Sequence, residues 1–190
     1  MSDPAAALQR AALAELEAGL PHVRAAPATD GRLELIVRRP AELLRETLAA
    51  AELTAEHGLV GDNWRVRGSR HTADRSAEPN KQITVINSRC AALFAHSRER
   101  WPLAGDQLYV DFDLSFANLP IGARFSVGNI VLEVSPEPHL GCGKFADRFG
   151  VDALKFVNSK VGRELRLRGL NARVISGGSV KVGDAVKKLV

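Results

Sequence analysis

Arg124-Phe125-Ser126-Val127-Gly128-Asn129-Ile130-Val131-Leu132-Glu133-Val134 decides the fold class. Two short runs with apolar residues at alternate positions flank a Gly-Asn pair, and a two-residue connection of this kind turns one strand back onto the next. Upstream, residues 108–114 alternate in the same way. Near the C-terminus, 172–176, Gly177-Gly178, 179–182, Gly183-Asp184 and 185–189 repeat the device. Residues 33–37 and 81–86 are aliphatic or β-branched and add two more strands. Short strands joined by glycine turns predict a mostly β, α+β chain: an antiparallel barrel-like sheet with peripheral helices, and not a doubly wound parallel sheet.

The helices are read from their caps and stripes. Asp3 and Pro4 suit an N-cap and first helical position, Gly19 a stop, and Leu8, Ala12 and Leu16 share a face between them. The turn-rich segment that follows makes 1–30 a helix and linker, and 31–190 the barrel domain. Pro40 opens a second predicted helix, with Leu43, Leu44, Thr47, Leu48 and Ala51 at three-and-four spacing. Residues 65–80 are polar and aperiodic, an irregular loop. Asn87 or Ser88 caps a helix to about Arg100 that places Cys90, Leu93 and Phe94 on one apolar face. Helices over 147–158 and 160–167 are expected to cover one end of the barrel. The Gly-Asp steps at Gly61, Gly105 and Gly183 have no fixed period and read as turns.

At 190 residues the chain suffices for one full core. Arg10, Glu15 and Glu17 interrupt the first twenty residues, which argues against a signal peptide or a spanning helix and for a cytoplasmic protein without membrane partners. The net charge of +4 is modest, aromatics make up 5%, and the basic stretch 160–173 contains none, so nucleic acid is not an expected partner. Cys90 and Cys142 form no C-x-x-C pair, which leaves a disulfide scaffold and a structural zinc site unsupported.

Chemistry is expected at Ser135-Pro136-Glu137-Pro138-His139-Leu140-Gly141-Cys142-Gly143-Lys144-Phe145. Pro136 and Pro138 stop the preceding strand, and Gly141 and Gly143 free the backbone on both sides of the thiol. A helix starting near Gly143, with Lys144 and Arg148 close by, would favour the thiolate of Cys142.

Together with Gly58-Leu59-Val60-Gly61-Asp62, Asn118-Leu119-Pro120 and the closing Asn171-Ala172-Arg173-Val174-Ile175…Val182-Gly183-Asp184-Ala185, this stretch resembles the MOSC domain, named after the C-terminal domain of molybdenum cofactor sulfurase. The resemblance covers residues 31–190 and implies a MOSC-type β-barrel whose loop cysteine handles sulfur or ligates molybdenum in a pterin cofactor. Cys142 matches that position, as catalytic group and as metal ligand. Asn118 matches the family's Asn-Leu step, and Arg173 its closing strands. With Lys144, Arg163 and Arg168, they are the candidates for binding the molybdenum–pterin cofactor and its phosphate. Gly141 and Ala117 stand where many members carry a proline and an acidic residue.

A thiolate suits both roles, as a soft ligand and as a persulfide-bearing nucleophile. The chain lacks the pyridoxal phosphate-dependent domain of the full sulfurase, hence any pyridoxal phosphate site, and lacks a four-cysteine iron–sulfur set. Electrons or sulfur must then come from an electron-transfer partner or a cysteine desulfurase. The resemblance implies reduction of N-hydroxylated small molecules; the alternatives are a sulfur carrier loaded on Cys142 and a non-catalytic interaction domain.

Overall fold

In a computed structural model of the chain, which describes residues 10–70 and 72–189, the hairpin at Gly128-Asn129 forms as predicted, with Gly128 at φ +54° and Val127 opposite Ile130. The elements run α1 (Leu13–Ala18), α2 (Leu20–Arg24), β1 (Asp30–Arg38), β2 (Glu46–Leu48), β3 (Ala50–Thr54), β4 (Gly58–Leu59), α3 (Trp64–Arg67), β5 (Ile83–Asn87), α4 (Ser88–Ala95) and β6 (Leu108–Asp111). After β7 (Arg124–Val127) and β8 (Ile130–Val134) come α5 (Gly143–Phe149), α6 (Val151–Asn158), α7 (Lys160–Glu164), β9 (Leu170–Ser176), β10 (Gly178–Lys181) and β11 (Ala185–Lys188).

Seven strands close into a barrel in the order β11-β7-β8-β9-β5-β6-β1, sealed where β1 pairs with β11 through Gly31 and Val186. Closure brings backbones close: a Cβ on Gly31 would stand 2.4 Å from the Asp111 carbonyl oxygen. The barrel is mixed, because β5 and β6 are parallel and the other ladders antiparallel. A parallel neighbour needs a crossover, and α4 with the turns after it supplies one across the outside. The Asn87 side chain caps α4 by accepting from the Arg89 N–H.

Alternation along the central strands divides the core in two. Leu33, Ile83, Val85, Leu108 and Val110 fill the barrel, whereas Val37, Ile86 and Tyr109 face outward into a second cluster with Cys90, Phe94, Phe145 and Phe149. There Phe94 meets Phe145 and Phe149 edge-on at centroid distances of 5.1 and 4.7 Å, each contact adding about 0.5–1.5 kcal/mol beyond area burial. These rings fasten α5 to α4. Leu16 and Val23 join the same cluster, so the N-terminal helices pack on the barrel. Asp3, Pro4 and Leu8 lie outside the described residues, and Gly19 separates two short helices rather than ending one.

Two expectations are corrected. No helix follows Pro40: Leu43 adopts φ +64°, Leu43 and Leu44 are exposed, and 46–48 pairs along β1, with Thr47 opposite Val37. The ladder and the Arg38–Glu46 pair (Nε to Oε2, 2.8 Å) outweigh the helical stripe. Nor does Gly177-Gly178 make a hairpin. Strand β10 leaves the barrel and joins β3 and β4 in a small second sheet, with Val180 opposite Ala51.

Candidate functional site

Cys142 stands directly before α5, its carbonyl accepting the N–H groups of Phe145 (2.9 Å) and Ala146 (3.1 Å). Its side chain is exposed, and the loop beneath it is clamped. Asn158, at the end of α6, accepts from the Gly141 N–H at 2.9 Å and donates to the Gly141 carbonyl at 3.0 Å. A Cβ on residue 141 would meet Leu154 Cδ1 at 2.7 Å, and a proline would remove the N–H that Asn158 accepts. Gly141 thus keeps both bonds to Asn158 and leaves room for Leu154.

The thiol lies on the wall of a cleft of about 1270 Å³, lined by α5, the 39–45 segment, the loop after α3 and the ends of β5 and β9. Nine cationic side chains line it: Arg39, Arg45, Arg67, Arg70, Arg75, Lys81, Lys144, Arg148 and Arg168. Among the described lining residues the single carboxylate is Glu42. Beneath the surface, two buried carboxylates hold the deeper arginines. Asp62 accepts from Arg39 Nε and Nη2, both at 2.8 Å, and from the Arg39 and Trp64 backbone N–H groups. Asp106 takes Arg168 Nη1 at 2.7 Å on one oxygen and His139 Nε2 at 2.8 Å on the other.

The electrostatics follow from burial and like charge. Burial lowers the Arg45 pKa, and Arg148 and Arg39 lower it further; burial and then Arg39 do the same for Arg67. His139 is held below the usual histidine range by burial and by Arg168, and it lines the cleft. Burial alone would raise Asp106, but Arg168 and His139 together outweigh it and keep the carboxyl below its ordinary range.

Polar atoms here await partners. Among the described residues, Arg45 Nε, Asn63 Oδ1, Arg168 Nε and His96 Nε2 are the buried side-chain polar atoms without a hydrogen bond, and the first three belong to residues lining this cleft. Leaving such a group unmet costs about 1–3 kcal/mol. Around Gly105, Arg45 Nη2 and Arg148 Nη1 stand 3.6 and 3.9 Å from where a Cβ would be, a cationic cradle open at a glycine.

Residues 72–187 match the family model of the MOSC domain. The chain belongs to the MOSC domain family. Its fold is similar to that of the YuaD protein from Bacillus subtilis, with a TM-score of 0.62 at 15% identity, covering 83% of this chain and 94% of that one. YiiM from Escherichia coli is similar too, with a TM-score of 0.54 at 18% identity over 84% of this chain and 70% of that one. YiiM from Geobacillus stearothermophilus gives 0.55 at 14% identity, over 84% and 75%. No curated protein matches the sequence.

In this MOSC domain the predicted site residues separate into two groups. Cys142, Lys144 and Arg168 line the cleft. Asn118, Arg163 and Arg173, also named as cofactor-binding candidates, do not. Asn118 donates to the carbonyls of Asp113 (2.8 Å) and Ala28 (3.0 Å), tying a turn to the N-terminal linker. Arg163 Nε donates to the Asn158 carbonyl at 3.1 Å. Arg173 spans the outer face of the barrel to Glu133 (Nε to Oε1, 3.0 Å) because residue 173 of β9 lies opposite 133 of β8. Arg148, expected beside the thiol, lines the cleft too, whereas Arg39, Arg45, Arg67 and the Asp106–His139 pair were not legible in the sequence. Two of its three Gly-Asp turns supply the buried carboxylates: Gly61 and Gly105 adopt φ +82° and +89°, as turns require, and each delivers its aspartate to an arginine.

The two thiols differ accordingly. Cys90 is wholly buried and its pKa is pushed up to about 12, chiefly by that burial. Native protein treated with a limiting alkylating reagent is expected to be labelled at Cys142, with Cys90 modified only after denaturation, as peptide mass mapping would show. Equal labelling of both in the native state would contradict the packing of α4.

Proposed function

We propose that this MOSC domain holds a molybdenum–pterin cofactor in the arginine-lined cleft, with Cys142 as the protein's ligand to the metal, and reduces N-hydroxylated small molecules. The observation that carries the proposal is the meeting, in one cleft, of an exposed thiol with buried polar atoms of Arg45, Asn63 and Arg168 that lack partners. Two of those atoms are guanidinium N–H donors, the groups that pair with phosphate oxygens at about 1.5–3 kcal/mol each. The volume of about 1270 Å³ accommodates a pterin together with a small substrate.

In this reading Arg45 and Arg148 would hold the cofactor's phosphate, and Arg168, anchored on Asp106 and the Ala104 carbonyl, would have its Nε–H left to offer. Asn158 fixes the backbone from which Cys142 presents its sulfur. When bound, the cofactor would supply a two-electron redox centre beside Cys142. Conversion of R–NH–OH to R–NH2 and water consumes two electrons and two protons, so an electron-transfer protein must serve the site. A cytoplasmic setting, where thiols stay reduced, suits Cys142 in this role.

The test is an anaerobic assay of cofactor-loaded protein with an N-hydroxylated compound and a chemical reductant. One amine is expected per two electrons consumed. If no amine forms and exposure to a cysteine desulfurase with free cysteine instead adds sulfur to Cys142, the chain is a sulfur carrier and the reductase reading is wrong.

A further inference from the structure

We infer that the cleft contains a second anion subsite, formed by Arg67, Arg70 and Arg75, which takes a phosphate carried by the substrate. The inference rests on the cofactor reading for its assignment of the first anion, at Arg45 and Arg148. Charge balance motivates it. Arg39 and Arg168 are neutralised by buried aspartates, and Lys81 and Lys144 face Glu137 and Glu42. Arg45, Arg148, Arg67, Arg70 and Arg75 line the same cleft without a carboxylate partner among the described residues, Arg45 and Arg148 donating to the Leu44 and Leu103 carbonyls. A phosphate monoester brings a charge of about −1.5 to −2, which leaves roughly three of these five arginines uncompensated.

Arg67 ends α3, and Arg70 and Arg75 lie in the segment that follows, whose described residues are held from within. Gly68 adopts φ +65°, and a Cβ there would come 2.2 Å from the Arg75 carbonyl oxygen. The same oxygen accepts the Ser69 N–H at 3.3 Å, and Thr72 Oγ1 donates to the Ser76 carbonyl at 2.6 Å. Trp64 Nε1 ties the base of the loop to the Glu78 carbonyl at 3.1 Å. Arg67, Arg70 and Arg75 thus line the same cleft as Cys142 and the start of α5. Arg39 repels Arg67, and Asp62, whose charge opposes that effect, is already engaged by both Nε and Nη2 of Arg39. A substrate phosphate would relieve that repulsion and hold the N-hydroxyl end of the molecule on the Cys142 side.

The test has two arms. Full-length protein made without cofactor is titrated with inorganic phosphate; two phosphates are expected per chain, with R67Q/R70Q losing one and R45Q/R148Q losing the other. Cofactor-loaded protein is then assayed with an N-hydroxylated nucleoside and with its 5′-monophosphate. The phosphate is expected to raise kcat/KM by about tenfold to a hundredfold, and R67Q/R70Q to bring that ratio close to one. A single phosphate in the titration, the same site lost in both double variants, or a ratio that survives R67Q/R70Q would overturn the second subsite. So would an extracted cofactor carrying a diphosphate, which would account for the second anion itself. Failure to reduce either compound contradicts the cofactor reading, and the phosphate titration still decides the subsite.

Discussion

Cys142→Ser is expected to leave the barrel folded and to abolish molybdenum-dependent reduction. The side chain is exposed and contributes nothing to either core cluster, and α5 is started by the backbone carbonyl of residue 142, which serine retains. Thermal stability should therefore stay within about 0.5 kcal/mol of the parent. The chemistry changes far more, because a serine hydroxyl is a hard donor and much less acidic than a thiol. Loss of activity should exceed the roughly hundredfold effects seen when only an outer-shell partner of a metal is removed. Pterin retention should fall less, since the arginines that receive the phosphate are untouched. Metal analysis, turnover and a melting curve on one preparation check all three. A serine variant that keeps molybdenum and turns over like the parent removes the role assigned to this cysteine.

Asp106→Asn is expected to have the largest effect on stability, about 3–5 kcal/mol, because it strips a buried guanidinium of its counter-charge. Asp106 is 0% exposed, Arg168 is 7% exposed, and His139 depends on the same carboxylate. For a chain of this size the loss corresponds to a fall in Tm of roughly 6–20 °C. Lys144→Gln, which breaks the exposed pair with Glu42, should cost less than about 1 kcal/mol and serves as the contrast.

The same cluster sets an acid limb. His139 has a folded pKa below its unfolded value, so below about pH 6.5 the unfolded chain takes up a proton that the folded one resists, and stability falls. Asp106 also has a depressed folded pKa. Its contribution is present above the unfolded value near pH 4 and is lost as pH drops through the folded one. Melting temperatures measured from pH 8 to 4 should decline from about 6.5 downward, and His139→Gln should flatten the upper part of that decline.

The hairpin at Gly128-Asn129, the apolar face bearing Cys90 and the glycine-flanked Cys142 were legible because each is written in consecutive residues at a local period. The barrel's closure was not, since the β1–β11 pairing joins residues near opposite ends of the chain. The stripe after Pro40 misled because helical spacing says nothing of what surface will cover it, and there the edge of β1 captured residues 46–48. The cleft was the least legible feature. Its cations come from separate segments around residues 39–45, 67–75, 81, 144–148 and 168, so no motif announces them. Asp62 and Asp106 looked like turn residues, and they are; their second role, neutralising a buried arginine, appears only when β6, β9 and the 39–45 segment meet. Arg173 and Asn118 looked like site residues by resemblance; they bond to Glu133, Ala28 and Asp113 and do not line the cleft.

The most direct measurement is the molybdenum and pterin content of freshly purified protein from a host that makes the cofactor. Metal and pterin in amounts equimolar with the chain, with both reduced in R45Q/R148Q and molybdenum alone lost in Cys142→Ser, are the predicted result. Folded protein that carries neither from such a host, and takes up neither on incubation with the isolated cofactor, would contradict the account.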